Sequence, residues 1–108
     1  MAYHPSMVVI RRTFYCKPGH AGRAIEVFKR VVQITAERDP NVTAQRLYTD
    51  LSGRTDRVVI ETETETLINP RELSKPIHGH PDAAGLFGQL LDHLDHAEGE
   101  FWVLEAVS

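Results

Sequence analysis

The sequence predicts an α+β fold of ferredoxin-like order, β-α-β-β-α-β, and three observations predict it. Apolar residues recur at three- and four-residue intervals over residues 22–38 and again after Pro81, marking two amphipathic helices. Between them, residues 42–51 and 57–65 are alternating runs joined by a short polar link, which is a hairpin pattern. Runs rich in aromatic and β-branched residues open and close the chain. That order gives a four-stranded antiparallel sheet with both helices on one face.

The first strand, residues 7–16, places Val8, Ile10 and Phe14 on one side and Met7, Val9 and Tyr15 on the other. Both sides are partly apolar, so cover is expected on both faces of the sheet. Pro18 and Gly19 end it. The first helix carries Ala24, Ile25, Phe28, Val31, Val32 and Thr35 as its core stripe, with Arg23, Glu26, Lys29, Arg30 and Glu37 outside it. Pro40 stops it by removing a backbone donor and restraining its predecessor. The third strand separates Val58, Ile60, Thr62 and Thr64 from Val59, Glu61, Glu63 and Glu65, so its two faces differ chemically.

Residues 68–81, with Pro70, Pro76 and Pro81, read as irregular chain with a short helical turn at 71–74. The second helix starts after Pro81 with Asp82 in its first turn, where a carboxylate suits the helix dipole. Its stripe is Ala83, Leu86, Phe87, Leu90, Leu91, Leu94 and Ala97, with Gly99 as the stop signal and residues 101–107 as the closing strand.

At 108 residues, the expectation is one domain spanning 1–108. A net charge of −3 with no Lys/Arg block argues against nucleic acid or an anionic membrane as partner, since both need concentrated positive charge. The longest apolar stretch, residues 7–10, is far too short to span a bilayer, and residues 1–6 lack the pattern of a signal peptide, so a cytoplasmic location is expected. The single cysteine, Cys16, has no disulfide partner and reads as a small buried hydrophobe.

Several segments carry a family resemblance: Arg11-Arg12-Thr13-Phe14 on the first strand, Lys17-Pro18-Gly19 before the helix, Tyr48-Thr49-Asp50-Leu51-Ser52-Gly53, and Arg57-Val58-Val59-Ile60-Glu61. With these the chain resembles the small NIPSNAP-like proteins of the dimeric α/β-barrel superfamily. The resemblance implies two sheets packed face to face into a barrel, helices outside, and pockets between sheet and helices. No cofactor is expected. Members of that superfamily include cofactor-free antibiotic-biosynthesis monooxygenases, haem-degrading enzymes and isomerases. The haem-degrading pattern does not carry over, because the first strand has no Asn and Trp102 lies on the last strand. A homodimer also follows from the bare sheet face, since burying half of it at ~25 cal/mol per Å² of apolar area reaches the scale of a stable interface.

Among residues able to do chemistry, His78 and His80 stand out as general-base candidates, because an imidazole exchanges protons near neutrality. His93 and His96 have i, i+3 spacing without the intervening glutamate of a helical zinc site, so no metal is expected. Arg12, Tyr48, Phe87, His93 and Trp102 are the candidate ligand-binding residues. Arg11 or Arg12 with Arg46, Glu61 and Glu63 read first as a structural ion-pair network and second as an anion-binding pocket. No phosphate loop or nucleophile elbow is present. The leading expectation is a dimer binding a small apolar or aromatic molecule between sheet and helices. Its rivals are a cofactor-independent monooxygenase or isomerase, and a structural or stress-responsive dimer with a filled barrel and no ligand.

Overall fold

A computed structural model describes residues 7–52 and 56–108. The elements run β1 (Val8–Cys16), α1 (Ala21–Arg38), β2 (Val42–Thr49), β3 (Arg57–Thr64), α2 (Pro70–His78), α3 (Ala83–His93) and β4 (Leu94–Val103). The strands form one antiparallel sheet in the order β2-β3-β1-β4, which is the ferredoxin-like topology expected. The expected hairpin stands, although most of its link, residues 53–55, lies outside the described residues, as do residues 1–6.

The period-two pattern of β1 and β3 decides where the core sits. Val8, Ile10, Phe14 and Cys16 face the helices, together with Val58, Ile60, Thr62 and Thr64 of β3. The face of α1 that meets them is Ala24, Val27, Phe28, Val31, Ile34 and Thr35. Ile25 and Val32, expected in the centre of that stripe, flank it and are only partly buried. Phe28 is the largest fully buried side chain, and its ring lies 4.5 Å from that of Phe14, joining helix to sheet. Thr35 settles its buried hydroxyl by donating to the Val31 carbonyl one turn back (2.9 Å).

Two expectations are corrected. Residues 70–78 are a regular helix, α2, rather than irregular chain with a short helical turn, so three helices instead of two are found among the described residues. Asn69 caps α2 by accepting from the Arg71 amide (2.9 Å), and proline at the first position lacks only a donor that would have had no partner there. Pro76 lies inside the last turn, where it cannot donate to the carbonyl four residues back. Ile77 is buried in the core and Arg38 donates to the Pro76 carbonyl (3.3 Å), which ties α2 to the end of α1.

The second correction is the end of the last helix. α3 stops at His93, and β4 begins at Leu94 rather than at residue 101. Leu94 and Ala97 continue a helical spacing in sequence, but they lie opposite Cys16 and Phe14 in the strand register. The free edge of β1 offers ladder partners along the whole of 94–103, and this non-local pairing outweighs a local helical pattern. Gly99 is therefore a strand residue opposite Arg12, not a helix stop. Leu91 is 75% exposed and belongs to no core stripe, while His96 sits on β4 rather than on a helix.

Candidate functional site

The register divides the functional side chains between the two faces of the sheet, because residues directly opposite one another on antiparallel strands share a face. Val9, Arg11, Thr13 and Tyr15 of β1 share the helix-free face with Glu63, Glu61, Val59 and Arg57 of β3, and with Trp102, Glu100, Glu98 and His96 of β4. A concavity of about 560 Å³ opens on this face, lined by groups that include Arg11, Tyr15, Tyr48, Arg57, Glu61 and Glu100.

Its arginines are paired with carboxylates. Glu61 accepts from Tyr48 Oη (2.7 Å) and from Arg11 Nε and Nη2 (3.0 and 2.7 Å). The Tyr48 hydrogen bond, followed by the Arg11 interactions, holds the Glu61 carboxyl below its usual range against partial desolvation. The same bond raises the Tyr48 phenol. Arg46 pairs with Glu63 at 2.5 Å, and Tyr15 stacks on His96 with ring centroids 4.3 Å apart. The ion-pair reading of Arg11, Arg46, Glu61 and Glu63 therefore holds, and it is Arg11 rather than Arg12 that joins it.

At the rim, Asp50 accepts from the Ser52 hydroxyl, the Ser52 amide (2.7 Å) and Arg57 (2.6 and 2.8 Å), and these bonds, the Ser52 hydroxyl foremost, hold its carboxyl down to about 2. A carboxyl depressed by folding stabilises the protein above its unfolded pKa, and this contribution disappears as pH falls through the folded value. The wild type is expected to resist urea better than Asp50→Asn at neutral pH. The gap should stay constant down to about pH 4 and close toward about pH 2. Parallel urea titrations at each pH measure it.

The helix-facing side differs. Arg12 lies between Ile10 and Phe14 along β1, with Ile60 on one neighbouring strand and Gly99 on the other. Its Nε is buried without a hydrogen-bond partner, and no ion pair to its guanidinium is found among the described residues. Burial lowers its pKa, but an arginine remains a cation. The guanidinium carbon lies 5.8 Å from the Phe14 ring centroid. At Gly99 a methyl group placed on the helix-facing side would meet nothing within 4 Å. Ala97, Phe101 and Val103 share that side of β4 and are exposed, Phe101 at 47%. Arg12 and Phe14 thus lie beside open space over an apolar stretch of β4.

The other candidate residues are dispersed. Tyr48 and Trp102 lie on the helix-free face, so neither shares that space with Arg12 in one protomer. Phe87 of α3 packs against the core, 5.1 Å from the ring of His78 at the end of α2. His80, in the turn between α2 and α3, uses Nδ1 to accept from the Asp82 amide (3.0 Å). In its neutral form the only lone pair of that ring is therefore occupied. His93 ends α3 with its Nδ1 2.9 Å from that of His20, which precedes α1. No group of three or more metal-ligating side chains gathers among the described residues.

No protein-family model and no curated protein matches the chain. Solved structures do. A NIPSNAP family protein from Agrobacterium tumefaciens superposes with a TM-score of 0.78 at 14% identity, over 100% of this chain and 94% of that one. SnoaB, a cofactor-independent oxygenase from Streptomyces nogalater, gives 0.69 at 13% identity over 94% and 96%. A dimeric protein of unknown function and ferredoxin-like fold from Bacteroides fragilis gives 0.69 at 13% over 94% and 100%. The class is thereby fixed at the level of fold: the chain has the ferredoxin-like architecture shared by NIPSNAP family proteins and SnoaB-like oxygenases. This is the fold that its strand and turn residues resembled.

Proposed function

We propose that this chain is a cytoplasmic homodimer that binds a small apolar or aromatic molecule between sheet and helices, in the hollow over β4. The observation that carries this reading is the open space at Gly99, which lies opposite Arg12 on the face that Phe14 of β1 and Phe101 of β4 share. Small-molecule sites are mostly apolar with a few polar groups, and this surface sets Phe14, Ala97 and Phe101 around a single arginine. The helix-free face supports the dimer. Its Arg and Glu residues alternate, so a two-fold related copy presents complementary charge, and Trp102 is 52% exposed beside them. The likeness to a dimeric protein of the same fold supports it as well. No helix among the described residues is long and apolar enough to cross a membrane.

A cofactor-independent oxygenase is the second reading, favoured by the likeness to SnoaB. Such a reaction needs a base to form the substrate carbanion. The engaged lone pair of His80 favours the binding reading over this one.

Native mass spectrometry with 2-naphthamide, a neutral planar probe, tests the proposal. The expected result is a dimer that takes up the probe, while a Gly99→Leu dimer, with its hollow filled, takes up none. A monomer, or equal uptake by wild type and Gly99→Leu, would overturn it.

A further inference from the structure

The sheet distributes its arginines unequally. Arg11, Arg46 and Arg57 on the helix-free face each have a carboxylate within 2.7 Å. Arg12 has none among the described residues, although its Nε is buried and its neighbours along the strand are Ile10 and Phe14. A cation removed from water is normally paired, because the lost hydration must be replaced by hydrogen bonds to an anion. Opposite this arginine is the open space at Gly99, on the sheet face that also carries Phe14 and Phe101.

We infer that the ligand of the hollow is an aromatic acid, whose carboxylate pairs with the Arg12 guanidinium while its ring lies over Gly99 between Phe14 and Phe101. This rests on the proposed binding site and names its ligand class. A guanidinium presents a planar fork that matches a carboxylate with two parallel hydrogen bonds, so charge and shape are recognised together. The glycine is what admits the ring: any side chain at position 99 would occupy the space beside Arg12.

Isothermal titration of 2-naphthoate against 2-naphthamide, which has the same ring and no charge, tests this. Wild type is expected to bind the acid at least tenfold more tightly. Arg12→Met should lose that preference and keep its affinity for the amide. Arg12→Lys should restore part of it, because a point charge replaces the fork. Thermal melting checks that both variants are folded, and Arg12→Met is expected to melt at or above the wild-type temperature, since an unpaired buried charge has been removed. Equal binding of acid and amide by wild type would overturn the aromatic-acid inference and leave the hollow as a neutral site. That is also the result if a partner protomer supplies the counter-ion. Binding of neither probe would overturn the hollow itself. A preference for the acid that persists in Arg12→Met would assign the charge recognition to another residue and overturn the role of Arg12.

Discussion

Arg11→Glu is expected to convert the proposed dimer into a monomer at micromolar concentration. Arg11 lies opposite Glu61 on β3 and Glu100 on β4, and its guanidinium bonds to Glu61. Reversing its charge collects three carboxylates on adjacent positions of one face, and a two-fold axis doubles that number across the interface. Like charges brought together at an interface cost several kcal/mol, which corresponds to a loss of about a hundredfold or more in affinity. Arg11→Met serves as the control, because it removes the ion pair without adding repulsion and leaves Glu61 bonded to Tyr48. Analytical ultracentrifugation reads both variants. A dimer of unchanged affinity in Arg11→Glu would mean that copies associate through some other surface.

Phe28→Ala is expected to destabilise the protein by about 3–5 kcal/mol, the range for removing a fully buried aromatic ring. Phe28 is 2% exposed, and it connects the core face of α1 to Phe14 on the central strand. Few side chains remain to collapse into the space, because Ile60 and Val58 beneath are held in the sheet ladder. Urea denaturation at fixed protein concentration is the appropriate measurement, since unfolding of a dimer depends on concentration. The effect also reaches function. Phe14 loses its neighbour, and Phe14 borders the proposed site and is the ring beneath the Arg12 guanidinium. A loss under about 1 kcal/mol would show that the α1 contact with the sheet is not the centre of the core.

Much of the fold was legible because period reveals pairing. The alternation of Val58-Val59-Ile60-Glu61-Thr62-Glu63 announces one buried and one charged face, and these are the faces observed. The α1 stripe was legible in the same way, apart from a small rotation toward Val27 and Ile34. The boundary at His93–Leu94 was not. Leu90, Leu94 and Ala97 keep a helical interval, so local pattern favours helix, and only the free edge of β1 supplies the reason to extend. That single boundary concealed the candidate site. With Gly99 read as a helix stop, the alternation Ala97, Gly99, Phe101 on one face of a strand went unrecognised, and so did the space beside Arg12. α2 was obscured differently, since Pro70, Pro76 and Pro81 together suggest irregular chain, whereas Pro70 opens the helix and Pro81 lies beyond its end.

Arg12 itself was visible as a candidate, but its isolation was not. The adjacent Arg11 has the same charge and a similar sequence context, yet the pleat turns one toward a carboxylate network and the other toward apolar side chains. Period two assigns opposite faces to the pair, but a sequence does not reveal which face holds the counter-ions. In the folded chain the difference is plain: among the described residues, the sheet arginine on the helix-facing side is the one without a carboxylate partner.

The most direct measurement of the binding site is an isotope-filtered NMR experiment that records contacts between 2-naphthamide protons and the labelled dimer. Contacts to the Phe14 and Phe101 rings and to the Gly99 α-protons are expected, because the glycine has no side chain to separate its backbone from the ligand. Contacts to Tyr15, Tyr48 and Trp102 instead would place the ligand on the opposite face of the sheet and contradict a site between sheet and helices.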